Sequence, residues 1–169
     1  MCASTSSARH EHTAYSWPDR QPRPVIGLLQ RVSSARVDID GTTVASIGRG
    51  LLVLVGVERD DDESRADRLL ERLLSYRVFP DADGRMNLSL QDTRGELLLV
   101  PQFTLPADTR KGTRASFTAA APPELGRALY QHLVDAAKQR LPGVGSGSFG
   151  DDMQVTLTND GPVTCWLQS

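Results

Sequence analysis

Residue types able to do chemistry are sparse in this chain, and they gather in two stretches. The first is Pro101-Gln102-Phe103-Thr104. Gln102 offers an amide donor and acceptor, and Thr104 a hydroxyl that could attack or donate. A strand through this stretch puts Gln102 and Thr104 on one face, because side chains alternate with period two. An ordinary β-branched strand residue is the other reading of Thr104. Arg110, Lys111 and Arg114 follow, with Gly112 between them, as a compact basic loop. Phosphate binding is one reading of that loop and a solvated surface the other.

The second stretch is Asn159-Asp160-Gly161-Pro162-Val163-Thr164. Runs with strand character flank it, Val155 to Thr158 and Val163 to Leu167. Asp160-Gly161 would suit a hairpin turn, but Pro162 has no N–H for a ladder and restricts Gly161. An X-Pro bond is also the one peptide bond that turns cis at modest cost, about 0.5–1 kcal/mol.

Other chemistries find no support. There is no Ser-His-Asp set, no Cys-His pair and no convincing carboxylate pair. His10, His12 and His132 lack Cys or carboxylate partners at zinc spacing, so neither a metal site nor a cofactor is expected. The Asp60–Asp62 run precedes a helical pattern, where carboxylates cap N–H groups and suit the dipole. Gly145-x-Gly147-x-x-Gly150 matches a dinucleotide fingerprint formally. It follows a helix and precedes a strand, the wrong context for a phosphate cradle.

The elements that must position these residues follow from periodicity. Residues 25–32 read as a buried strand, 34–50 as a hairpin turning at Asp40-Gly41, and 51–57 as a central strand. Ala66, Leu69, Leu70, Leu73 and Leu74 make one helix face. Residues 79–90 read as loop, and 95–105 as a strand up to Pro101. Pro122-Pro123 opens a second helix with Leu125, Leu129, Leu133 and Val134 inward. Residues 143–150 read as loop, and two strands close the chain. The fold class is therefore α/β: a mixed, largely antiparallel, curved and barrel-like sheet with two amphipathic helices in a single domain.

The 169 residues suffice for one domain with a real core. Nineteen Lys+Arg against twenty-one Asp+Glu give a net charge of −2, so any nucleic-acid contact must come from a local patch. No apolar run reaches the ~18 residues of a membrane span. Two cysteines at opposite ends, Cys2 and Cys165, point to a reducing compartment, and a cytoplasmic location is expected. Residues 1–24 are polar, with no apolar signal core, and read as a disordered leader before a domain over 25–169.

The stretches around residues 28–41, 50–61, 80–90, 101–117 and 149–169 together resemble the D-aminoacyl-tRNA deacylase family, in order and at its spacing. The resemblance covers nearly everything from Val25 to Ser169. It implies a homodimer that hydrolyses the ester joining a D-amino acid, or glycine, to tRNA, with active sites at the dimer interface. It implies that Gln102, Phe103 and Thr104 form the catalytic strand, the Phe103 and Thr104 N–H groups holding an oxyanion. Gly161 and Pro162, joined by a cis bond, would enter the partner's site and sort handedness by carbonyl position. Arg31 matches the arginine that supports those carbonyls. Phe149 and Met153 match residues near the terminal adenosine, and Asn159 and Thr164 complete the second motif. Arg110, Lys111 and Arg114 are the expected tRNA contacts. The chain departs from the family at Pro101, where the family has serine. A related animal-type tRNA deacylase also carries proline there and removes L-alanine. That leaves two alternatives: relaxed chirality toward L-alanyl-tRNA, or a tRNA-binding module without catalysis.

Overall fold

A computed structural model describes residues 25–110 and 112–169; the leader expected over residues 1–24 and the side chain of Lys111 lie outside the described residues. The elements run β1 (Ile26–Ile39), β2 (Thr42–Ile47), β3 (Gly50–Gly56), α1 (Glu63–Ser75), β4 (Phe79–Pro80) and β5 (Met86–Leu88). They continue α2 (Leu90–Thr93), β6 (Glu96–Pro101), α3 (Pro123–Arg140), β7 (Val144–Ser146) and β8 (Gln154–Gln168).

β1 organises the sheet. Its first half pairs antiparallel with β3 and its second half with β2, while β8 lines its other edge along nearly its whole length. The sequence reading splits β1 near Ser33; double-sided pairing keeps it one strand. Asp40 and Gly41 both have positive φ, 48° and 75°, and join Ile39 to its partner Thr42 in a two-residue turn. That turn's twist suits hairpin strands, which is why Asp-Gly appears there. β6 pairs parallel with β3 and β7 parallel with β6, so the order is β2-β1-β3-β6-β7, with β8 on β1. The sheet curls until Gly145 on β7 meets β2: a Cβ there would lie 3.3 Å from Ala45 Cβ.

Four local expectations change. The loop expected at 79–90 contains the small β4–β5 pair and α2. α2 makes a third helix, begun by a capping box in which Ser89 accepts from Asp92 N and the Asp92 carboxylate accepts from Ser89 N. Residues 144–146, expected as loop, form β7. The last two strands are one strand, β8, held in line because β1 pairs on both sides of the Gly161–Pro162 step.

Both long helices cover one sheet face. Ala66, Leu69, Leu70, Leu73 and Leu74 of α1 and Leu133, Val134 and Ala137 of α3 pack with Leu29, Leu51, Val53, Leu97 and Leu99. Full burial of each leucine or valine among them stabilises by about 1.5–3 kcal/mol. Asp62 caps α1, accepting from Arg65 N at 2.9 Å, as the acidic run predicts. Asp61 turns inward instead and accepts from Glu58 N. Burial, the largest influence, raises its pKa despite that bond. The opposite sheet face closes around a smaller cluster that includes Val32, Val37, Ile47, Leu52, Leu98 and Val100, with Met153 at its margin.

Candidate active site

β6 delivers the first group. It ends at Pro101, opposite Val55, and the next N–H, of Gln102, donates to Val55 O at 2.7 Å. Successive N–H groups of a strand point to opposite sides, so the Pro101 nitrogen faces the β7 side, where Gly147 donates the last rung to Leu99 O and lies against the proline ring. Proline has no N–H to donate to Gly147 O, so the β6–β7 ladder stops at the rung before it. Beyond it the chain turns: Leu105 N donates to Gln102 O and Ala107 N to Thr104 O. The strand expected through Gln102, Phe103 and Thr104 is therefore a turn. Gln102 and Thr104 still meet, with Gln102 Nε2 donating to Thr104 Oγ1 at 2.6 Å.

That contact leaves Thr104 without a base, because an amide NH₂ gives protons and takes none. The main chain offers more. Among the described residues, the N–H groups of Phe103 and Thr104 have no hydrogen-bond acceptor, and both residues are exposed. Two adjacent free N–H donors on a turn suit a developing oxyanion, independent of side-chain identity. The Phe103 ring, 63% exposed, lies 5.7 Å from that of Phe117 across a loop closed by paired Asp108–Ser116 backbone bonds. Phe117 gave no signal in the sequence.

The basic loop divides. Arg110 donates to both carboxylate oxygens of Asp108, at 2.8 and 2.5 Å, and that hydrogen bonding, with the adjacent charge, raises its pKa. Its guanidinium is therefore committed within the loop. Arg114 is exposed.

Met153 approaches the same turn from the β7 side, and Phe149 follows Gly147 by two residues and lies against α3. A Cβ on Gly147 would lie 2.8 Å from Met153 Sδ and 3.2 Å from Pro101 Cδ, so all three segments converge on that glycine. The Phe149 ring packs over Gly126 and lies 6.4 Å from the Tyr130 ring, with the Arg127 guanidinium 5.2 Å away on its face. An open cleft of about 1060 Å³ runs alongside, bordered by Pro123, Arg127, Tyr130 and Phe149. Tyr130 is buried and its hydroxyl lies 2.9 Å from Leu99 O and 3.1 Å from Gly147 O. Sequence reasoning missed it; its place four residues after Gly126 and four before Val134, on the inward face of α3, was the available signal.

The second group sits where β8 leaves its ladder with β1. Thr164 pairs with Gln30 and Asn159 with Val32, so residues 160–163 loop out opposite Arg31 alone. Asn159 closes the base of the excursion. Its Oδ1 accepts from Val163 N at 2.9 Å and its Nδ2 donates to Val163 O at 3.2 Å, a task only a carboxamide can do from both ends. Thr164 Oγ1 takes further contacts from Gln30 and Asn159. Arg31, 8% exposed, reaches into the loop: Nε donates to Asp160 O at 2.8 Å, Nη1 to Val78 O at 2.5 Å, and the Asp160 carboxylate lies 3.3 Å from Nε. The Gly161–Pro162 peptide is cis and both residues are exposed. The described hydrogen bonds and ion pairs join residues within each group, and none runs between Gln102–Thr104 and Asn159–Thr164.

A family model described as D-Tyr-tRNA(Tyr) deacylase matches residues 28–168. A relative from Alkalilimnicola ehrlichii named D-aminoacyl-tRNA deacylase is 61% identical over 145 residues, which are 86% of this chain and 97% of that protein. One of the same name from Thioalkalivibrio sulfidiphilus is 63% identical over 144 residues, 85% of this chain and 97% of its own. Among solved structures, one titled c-Myc DNA Unwinding Element Binding Protein is similar at a TM-score of 0.81 and 34% identity, covering 85% of this chain and 98% of that one. A probable eukaryotic D-amino acid tRNA deacylase shares the fold at a TM-score of 0.76 and 18% identity, covering 86% and 99%.

Proposed function

The chain belongs to the D-Tyr-tRNA(Tyr) deacylase family, and from that premise we propose that it is a hydrolase that releases D-amino acids and glycine from tRNA. The observation that carries this reading is the pair of unengaged N–H groups of Phe103 and Thr104 on a turn that holds no side-chain base. Water adds to the ester carbonyl carbon, and the negative oxygen settles between the two N–H donors. The bond to the ribose oxygen then breaks, and that oxygen takes the proton lost by the water. With no side-chain base on the described turn, the neighbouring 2′-hydroxyl of the terminal adenosine relays the proton. Gln102 holds the Thr104 side chain back from the carbonyl. Phe149 and Met153 face the adenosine, and Arg114, with Lys111, meets the acceptor-end phosphates.

Handedness is sorted by main-chain oxygens. The Gly161 and Pro162 carbonyls of one copy accept from the substrate's ammonium group in the other copy's site. A D side chain then points outward, and an L side chain meets backbone, which is exclusion by shape. Glycine has nothing to exclude and passes. The dimer this requires has support in the sheet. Leu28, Leu54 and Trp166 are cross-strand partners on the face that carries no long helix, and Trp166 is half exposed. A second copy covering that row would bring the two residue groups, separate within one chain, into one site. The setting of this enzyme is translation in the cytoplasm; among the described residues, no helix is long and apolar enough to cross a membrane.

Pro101 favours one second reading, relaxed chirality with L-alanyl-tRNA as substrate. Hydrolysis of D-Tyr-, Gly- and L-Ala-tRNA by one preparation separates the readings. Release from D-Tyr- and Gly-tRNA with L-Ala-tRNA spared supports the first. Rapid loss of L-Ala-tRNA alone supports the second, and binding of all three without release overturns both.

A further inference from the structure

Tyr130 sits where the strand leading to the Gln102–Thr104 turn meets the segment leading to Phe149, and its hydroxyl does something its ring alone cannot. Leu99 O already accepts from Gly147 N at 2.8 Å, the last rung joining β6 to the β7 segment. The Tyr130 hydroxyl lies within hydrogen-bond distance of both carbonyls flanking that rung, Leu99 O and Gly147 O. Three residues past Leu99 the chain reaches Gln102, and two past Gly147 it reaches Phe149. Both neighbours are acceptors, so the hydroxyl serves only as a donor that shuttles between them. Burial raises its pKa, so the proton stays on the hydroxyl at neutral pH.

We propose that Tyr130 is a positioning residue: its hydroxyl sets the spacing between the Gln102–Thr104 turn and the Phe149 arm. The inference rests on the proposed deacylase reading, in which the turn holds the ester carbonyl and the arm holds the terminal nucleoside. Each half then binds its part of the substrate whether or not the spacing is right, but the ester is in line with the N–H donors only when it is.

The test is Tyr130→Phe, which keeps the ring and its packing, alongside Ser89→Ala, which removes the distant α2 cap. Both variants lower Tm modestly. For Tyr130→Phe, kcat on D-Tyr-tRNA falls about tenfold while KM stays within about twofold, because small misplacements act on the reacting geometry. In the same variant, the NMR amide signals of Phe103, Thr104 and Phe149 shift. Ser89→Ala leaves kcat, KM and those signals unchanged. An unaltered kcat with unmoved amides in Tyr130→Phe would reduce Tyr130 to a core residue, and an equal kcat loss in both variants would do the same. Shifted amides without change in kcat would also overturn the proposal. Absence of turnover by the wild-type enzyme would instead defeat the deacylase reading, and the amide shifts would then be judged by themselves.

Discussion

Replacing Arg31 with methionine removes both grips of the guanidinium while keeping most of its stem. The side chain is nearly enclosed, and it holds two main-chain carbonyls, Asp160 O at 2.8 Å and Val78 O at 2.5 Å. A hydrogen bond from a charged donor contributes about 1.5–3 kcal/mol. Val78 O is buried and loses its full share, while Asp160 O, at a partly exposed loop, can find water. Methionine fills the stem's volume and restores some apolar contact. The net expectation is a loss of about 3 kcal/mol, which at a urea slope of about 2 kcal/mol/M lowers the midpoint by about 1.5 M. Function should suffer differently from stability. With Asp160 O released, the Gly161 and Pro162 carbonyls lose the anchor on one side, and the ratio of D-Tyr- to L-Tyr-tRNA hydrolysis falls at least tenfold, about 1.4 kcal/mol of discrimination. Arg31→Lys gives an intermediate result, since an ammonium is a point donor and cannot bridge two carbonyls in the same geometry. The assays are urea unfolding and single-turnover deacylation of both enantiomers. A full loss of stability with the enantiomer ratio intact would refute the link between Arg31 and selectivity.

Three further outcomes follow from the same geometry. Gly161→Ala places a Cβ 2.7 Å from Val163 Cγ2 and 2.9 Å from Val163 N, at φ +147°, so the loop must move before any substrate enters; D-Tyr-tRNA turnover drops at least about tenfold, and wild-type turnover would contradict the assigned place of Gly161. Thr104→Val keeps the main-chain donors and loses only the hydroxyl, so kcat changes by less than about tenfold, whereas a loss of about 10³ or more would make Thr104 the nucleophile. Asp92 is held below its ordinary value of 3.8, first by the Ser89 hydroxyl. A depressed carboxylate contributes stability above that value and loses it as pH falls through the folded pKa. Thermal melts across pH 2–5 should therefore show a flatter acid limb for Asp92→Asn than for wild type, and coincident limbs would remove Asp92 from the acid transition.

Much of the fold was legible because periodicity reports burial directly. The α1 face, the Asp40-Gly41 turn and the apolar β3 run each carry a local signature that tertiary structure had no reason to override. The misread strands share one cause. Ser33-Ser34 and Gly161-Pro162 look like ends of strands, yet β1 and β8 continue through them because partners on the neighbouring strand resume the ladder on the far side. β7 reads as loop, since Val144-Gly145-Ser146 has no pattern of its own and is a strand only by pairing with β6. In the candidate site, the short motifs marked Gln102 to Thr104 and Asn159 to Thr164. Sequence could not foresee that Arg110 folds back onto Asp108, nor that a helical tyrosine reaches the carbonyls of Leu99 and Gly147. Those contacts join residues 2, 31 and 17 positions apart, and only the folded chain fixes them.

The central claim is that main-chain carbonyls, not a reactive side chain, decide which substrates are cleaved. The most direct measurement is kcat/KM for D-Ala-tRNA and L-Ala-tRNA carried on one tRNA, so that only handedness differs. Exclusion by shape predicts that the D form is hydrolysed at least about a hundredfold faster, since the L methyl must displace backbone. Equal rates, or faster loss of the L form, would contradict the account.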